Sequence, residues 1–369
     1  MFYGVFGCLA TLGLLLSVSG TVQAADPQLD GVNLKLEQKV SFGPQEGGSD
    51  DVVQWATDVS STFAQYVRLH FTDIVDNTTT DYRVRLYNRS GSTVQEFDKA
   101  RFKAEPEFWT TLIPGDFVRV EVLATERPVG LSFTLSEGVV QRNSGAPFSL
   151  TLPDDREQIV TYRTDLPELY RRSRAVAKLA FVKDGTPYVC TGFLIDRDRL
   201  LTNEHCVNTP AICRTTVAIF GYEALGPGGS VGAGEQFSCE GVLNKSEKLD
   251  AALLRLRGSP GTIYGSLPFA QQAPVLNQSV IMVQHPAGEP KQVSRKGCFV
   301  SALSAQGVSE KTDFGHKCDT LGGSSGSPVL NEQFAVVGLH HFGFEGADPW
   351  RDQNRAVSID LIRNAFGLH

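Results

Sequence analysis

Ser325 sits in Leu321-Gly322-Gly323-Ser324-Ser325-Gly326-Ser327-Pro328, a run whose glycines permit a tight turn around a serine hydroxyl. On such a turn the amides of Gly323 and Ser325 can point into one small space and hold the oxyanion of an acyl-transfer intermediate. A Gly/Ser run reads equally as a plain turn, so the reading depends on partners elsewhere in the chain. His205 closes the run Leu200-Leu201-Thr202-Asn203-Glu204-His205-Cys206, beside a cysteine that can bridge back to Cys190 and hold an imidazole at a strand end. Asp250 opens the apolar run Ala251-Ala252-Leu253-Leu254, where a carboxylate is costly to bury unless it is paired. Imidazole is the natural partner. A serine hydroxyl needs an imidazole to take its proton, and the imidazole needs an acid to fix its tautomer. His205, Asp250 and Ser325 therefore read as base, orienter and nucleophile.

The elements that would position these residues are short strands. After residue 175 the runs Ala175 to Val182, Tyr188 to Ile195, Leu200 to Asn203, Thr216 to Phe220 and Ala251 to Leu256 form one series. A second series is Val280 to Gln284, Gln292 to Val300, Ser327 to Leu330 and Ala335 to Phe342. Many short strands with Gly/Pro punctuation predict an all-β chain with two packed antiparallel β-barrels, jointed near Gly258 to Pro274. Ile359, Ile362 and Phe366 at helical spacing behind Ser358 predict a short, serine-capped C-terminal helix. From Asp26 to Val140, alternating runs such as Tyr82-Arg83-Val84-Arg85-Leu86-Tyr87 predict a small β-sandwich. In it the arginines form a solvated face, and Trp55 and Trp109 belong to the core. The expected domains are a leader at 1–25, the sandwich at 26–140, a linker at 141–151 and the barrels at 152–369. The basic cluster Arg171, Arg172, Arg174 and Lys178 reads as a solvated surface, with a processing site as the alternative.

At 369 residues the chain has room for more than one core, and its 41% hydrophobic and 20% charged residues exclude a mainly disordered protein. A net charge of -7 without a long basic run gives nucleic-acid binding no support. Before Asp26 an apolar run ends in Val22-Gln23-Ala24-Ala25, the shape of a secretory leader without the usual basic start. An uncleaved anchor is the competing reading. Beyond Cys8 the cysteines are Cys190, Cys206, Cys213, Cys239, Cys298 and Cys318, an even set that reads as disulfides in an exported protein. Cys190 with Cys206 closes a plausible loop, and order favours Cys213 with Cys239 and Cys298 with Cys318. His340 and His341 are adjacent on a predicted strand and face opposite sides, so they do not share a metal ion. His70, His285, His316 and His369 show no ligand spacing. No metal or cofactor is expected, and the expected partners are protein or peptide substrates, with no membrane after leader removal.

The C-terminal part resembles the trypsin-like serine endopeptidases, whose chain order is His, Asp, Ser, and among them the bacterial glutamyl endopeptidases. The matching stretches are the strand from Cys190 to Ile195, the run ending at His205-Cys206, the strand from Leu249 to Leu256, and Gly322 to Pro328. Val336 to Gly343, Asn354 to Asp360 and the start at Leu152 to Ile159 match as well. The resemblance implies a triad in a cleft between two six-stranded barrels, acting on peptide bonds through an acyl-enzyme. It departs at Ser324, where animal trypsin relatives carry the aspartate that pairs with a new amino terminus, so activation by that ion pair is not expected. If a precursor is made, residues 26–140 would shield or template the barrels. Two readings of specificity stand open. Asp319 matches the acid that binds lysine or arginine in trypsins, whereas Thr320 and His340 match positions that bind a glutamate carboxylate. Catalytically silent barrels used for binding are the alternative from another class, although no triad residue is missing.

Overall fold

The computed structural model describes residues 27–44, 52–62, 64–141, 148–149, 154–343 and 353–368. The expected leader, most of the expected linker and His369 lie outside them.

Residues 31 to 141 make two sheets over one core. Gly31–Ser41, Leu131–Gln141, Tyr66–Asp76 and Phe108–Trp109 line up in one, with Ile113–Pro114 also on Tyr66–Asp76. Val53–Ser60, Phe117–Leu123, Arg83–Tyr87 and Thr93–Asp98 line up in the other. Alternation explains the facing. Val84, Leu86, Val118, Val120 and Val122 are fully buried against Phe71, Phe133 and Leu135 of the opposite sheet. Arg83 and Arg85 lie on the outer face, where both reach Glu96. Trp55 packs edge-on against Phe133 at the rim of this core. Trp109 does not join the core: it stacks on His70 with ring centroids 4.4 Å apart and is only half-buried, because its strand lies at the sheet margin.

The next sheet closes on itself. Its order runs Thr186–Leu194, Val176–Lys183, Val217–Phe220, Glu235–Ser246, Ala251–Leu256 and Arg199–Thr202, and Arg199–Thr202 pairs back onto Thr186–Leu194. Gln28–Leu29 pairs with Tyr188 and Val189 on the free half of that strand, so the residues leading into the sandwich belong to the barrel sheet. The second barrel takes Gln292–Ser294, Ile281–Gln284, Pro328–Leu330, Val336–Phe342, Asn354–Ser358, Asp313–His316 and Val300–Ala305 in that order. A bridge between Ser279 and Phe299 brings its ends together. Gln292 to Val300 is not one strand as expected: it breaks after Ser294 at a turn through Gly297, whose φ of +61° suits a glycine.

One apolar cluster joins the barrels, with Leu200, Leu253 and Leu254 from the first and Val283, Leu330 and Leu339 from the second. The C-terminal helix Ile359–Phe366 seals it with Ile359 and Ile362. Ser358 makes no side-chain cap, contrary to expectation; Gly367 in the left-handed region ends the helix instead. The disulfides are Cys190–Cys206, Cys213–Cys239 and Cys298–Cys318, as the order of the cysteines favoured.

The sandwich docks on the first barrel. Tyr66 and Leu112 share an apolar cluster with Ala180, Val217 and Ile219, and Leu112 exchanges two hydrogen bonds of 2.8 and 2.9 Å with the Gln236 side chain. Lys178 is the correction to the basic cluster. Arg171 and Arg172 pair with Glu168 on a surface helix, but Lys178 is buried, with its Nζ 3.8 Å from Asp30 and donating to the Gly288 carbonyl at 2.9 Å. Its strand faces the docked domain, so the position is interior.

Candidate active site

His205 stands just past the end of strand Arg199–Thr202, and the Cys190–Cys206 bridge ties the following residue to the neighbouring strand. Its backbone amide donates to Asp250 Oδ1 at 2.9 Å, and its Nδ1 lies 2.7 Å from Asp250 Oδ2. A carboxylate only accepts, so Nδ1 carries the proton and Nε2 is left with its lone pair. Nε2 is buried and has no hydrogen-bond partner among the described residues. Asp250 precedes strand Ala251–Leu256 in the left-handed region, with φ of +42°, and Asn203 Nδ2 holds its carbonyl at 2.8 Å. A non-glycine residue kept in this conformation is over-determined by its surroundings. Burial alone would raise the Asp250 carboxyl, but His205 and His341 outweigh it and hold it well below the usual carboxylate range.

The Ser325 loop is fixed from both barrels. Thr191 N donates to the Ser325 carbonyl at 2.8 Å, and Thr191 Oγ1 donates to the Gly323 carbonyl at 2.9 Å. Gly326 N donates to the His340 carbonyl at 2.9 Å. Gly323 and Gly326 have φ of +93° and +87°, and a Cβ on Gly326 would stand 2.0 Å from the Thr191 carbonyl oxygen. Only glycine fits there. Ser324 is fully buried and donates to Gln284 Oε1 at 2.6 Å, while Gln284 Nε2 donates to the Asp319 carbonyl at 2.8 Å. Neutral hydrogen bonds thus set the loop at Ser324. Thr191 adjoins Cys190, and Thr202 Oγ1 donates to the Thr191 carbonyl at 2.8 Å, so the Ser325 loop rests on the elements that carry His205. No hydrogen bond joins the Ser325 hydroxyl to His205 Nε2.

Sequence reasoning missed the supports. Thr191, Asn203 and Gln284 are ordinary polar residues whose meaning is tertiary. Asp313 had no signal of its own, and His341 was noticed only as a poor metal ligand. His341 Nδ1 lies 3.1 Å from Asp250 Oδ2 and its Nε2 lies 2.5 Å from Asp313 Oδ2, all three side chains being buried. Burial opposes its charge, but Asp313 and Asp250 prevail and raise the imidazole to about 9.

The residues expected to read substrate are interior. Asp319 Oδ2 accepts the amide of Asp155 at 2.9 Å, and Phe148–Ser149 pairs with Thr320–Leu321, so the segment entering the barrels lies along this wall. Thr320 donates to Asn354 at 3.1 Å. His340 Nδ1 lies 3.1 Å from His316 Nε2, and burial pushes His340 well below the ordinary imidazole value and His316 down to about 3. Neither is a cation at neutral pH. Cys190, His205 and Cys206 bring metal-type donors within 4.8 Å of one another, but both sulfurs are committed to a disulfide.

Residues 190–339 match the family model of the trypsin-like peptidase domain, a span holding His205, Asp250 and Ser325. Among curated proteins, the chain is 34% identical over 188 residues to Secreted RxLR effector protein 73 of Plasmopara viticola, covering 47% of this chain and 46% of that one. It is 27% identical over 200 residues to Uncharacterized protein y4fB of Sinorhizobium fredii, covering 48% of this chain and 30% of that one. The matches span less than half the length of these relatives. Among solved structures, a Glu endopeptidase in complex with MPD has a TM-score of 0.43 at 18% identity, covering 59% of this chain and 99% of that one. The inactive form of the Rv3671c protease of M. tuberculosis has a TM-score of 0.43 at 17% identity, covering 56% and 94%. No helix among the described residues is long and apolar enough to cross a membrane.

Proposed function

We propose that the chain is a secreted serine endopeptidase whose nucleophile is Ser325. The observations that carry this are the buried His205–Asp250 pair, with Nδ1 spent on the carboxylate and Nε2 unspent, and a serine loop anchored on Thr191 in which only glycine fits at 326. In acylation the Ser325 oxygen bonds to the substrate carbonyl carbon while its proton passes to His205 Nε2, and Asp250 stabilises the resulting imidazolium. The developing oxyanion takes hydrogen bonds from the amides of Gly323 and Ser325. His205 then returns the proton to the leaving amine, and water repeats the sequence to release the acid. No cofactor enters this scheme. Secretion is supported by the three disulfides, which persist in oxidising compartments.

The test is Ser325→Ala in the full chain. Peptide cleavage falls to background while the melting temperature holds; cleavage at the wild-type rate would overturn the proposal. For specificity, a peptide-library profile requiring Glu before the cut bond supports Thr320 and His340 as readers, and one requiring Lys or Arg supports Asp319. The sandwich is read as a docked scaffold rather than a discarded shield. Its support is the buried contact of Asp30 with Lys178 and the strand Gln28–Leu29 in the barrel sheet.

A further inference from the structure

Asp250 has two imidazole partners. His205 and His341 both reach its Oδ2, at 2.7 and 3.1 Å, and Asp313 backs His341 from the far side at 2.5 Å. Strand Val336–Phe342 turns His341 toward Asp250 and His340 toward His316, and strand Asp313–His316 supplies the ends of both contacts. Both ring nitrogens of His341 face carboxylate oxygens. A carboxylate accepts and does not donate, so both nitrogens must hold protons for the two bonds to form. That makes His341 a buried cation between two anions.

Resting on the reading of Ser325 as nucleophile, we propose that His341 is a positioning residue for catalysis: a permanent imidazolium that orients Asp250 and completes an alternating row of charges when His205 takes the serine proton. At rest the row is neutral His205, anionic Asp250, cationic His341 and anionic Asp313, with one net negative charge. After proton transfer it reads plus, minus, plus, minus, with no net charge. The developing imidazolium thus neutralises a surplus anion already in the interior, and no water has to reorganise to accommodate it. The other titratable groups facing His341 from the packed strands are His316 and His340, both kept neutral by burial, so the row changes charge only at His205. His341 touches no substrate. It acts through Asp250.

The test uses the full-length chain. The rate of inactivation by a fluorophosphonate is followed from pH 4 to pH 9 in wild type, His341→Gln and Asp313→Asn, with folding checked by near-ultraviolet circular dichroism. Removing the cation leaves an extra negative charge near the base and moves the acid limb up by about one pH unit; removing the far anion moves it down by a similar amount. A purely structural role would lower rates without opposite shifts. Limbs that stay put, or that move together, overturn the proposal. Nitrogen-15 NMR of the wild-type histidines needs no variant: both His341 nitrogens are expected to be protonated at pH 7, and a neutral His341 tautomer contradicts the assignment. A wild type that never reacts with the probe refutes the nucleophile reading, and the NMR result still decides His341.

Discussion

His205 is useful because its two nitrogens are in different situations. Nδ1 is committed to Asp250, and Nε2 is buried without a partner among the described residues. Leaving a buried acceptor unmatched costs about 1–3 kcal/mol, a cost that makes sense where a hydroxyl proton is to be received. Asp250 decides which nitrogen is which. Asp250→Asn would offer an amide that can also donate, allowing the wrong tautomer, and kcat should fall roughly 10^4-fold with little change in KM. Steady-state kinetics on a short peptide checks this, and a loss below tenfold would remove Asp250 from its assigned role. The resting charge of His341 beside it is the less expected feature, because nothing in a His-His pair distinguishes a buried cation from a neutral neighbour such as His340.

At the scale of elements, the site is a meeting of strand ends. The strand Arg199–Thr202 delivers His205, Ala251–Leu256 begins right after Asp250, and the turn before Pro328–Leu330 carries Ser325. Gly326 lets that turn approach the strand Thr186–Leu194, so Gly326→Ala should push the loop off Thr191. Cleavage should drop at least 100-fold while circular dichroism shows the barrels intact, and near-normal cleavage would mean the contact is not needed. Much of this was legible because each residue of the proposed triad lies in a local run with its own signal: an apolar strand end, a cysteine neighbour, a glycine turn. Glu235–Ser246 was not legible. Its register shifts twice against Ala251–Leu256, which breaks the alternation that reveals a strand. Gln284 and Asp313 were hidden for another reason, since their roles exist only once distant strands are paired.

For the whole molecule, the informative residue is Lys178. It read as surface because its counter-charge, Asp30, comes from the segment entering the other domain. Asp30 is also held by Tyr66 and by Gln141 at 2.7 Å, and the whole group is buried at the junction. Burial opposes both charges, raising Asp30 and lowering Lys178, so the pair depends on mutual contact. Lys178→Met should cost about 3 kcal/mol by leaving Asp30 with Arg68 as its remaining cation, a weaker influence than Lys178, and adding Asp30→Asn should restore most of it. Urea unfolding measures both; an unaffected single variant would show that the sandwich is not anchored there. The Gly288 carbonyl that Lys178 binds lies beside Ala287, whose amide donates to the Gly322 carbonyl at 2.6 Å, so the anchor reaches the residue next to Gly323. All of this serves one claim, that Ser325 is the nucleophile of a peptide-bond hydrolase. Peptide mapping of the full chain after fluorophosphonate treatment tests it most directly. The label is predicted on Ser325 alone, at a rate that falls as acid protonates the base; an unlabelled Ser325 in a folded chain, or a label on another serine, would contradict it.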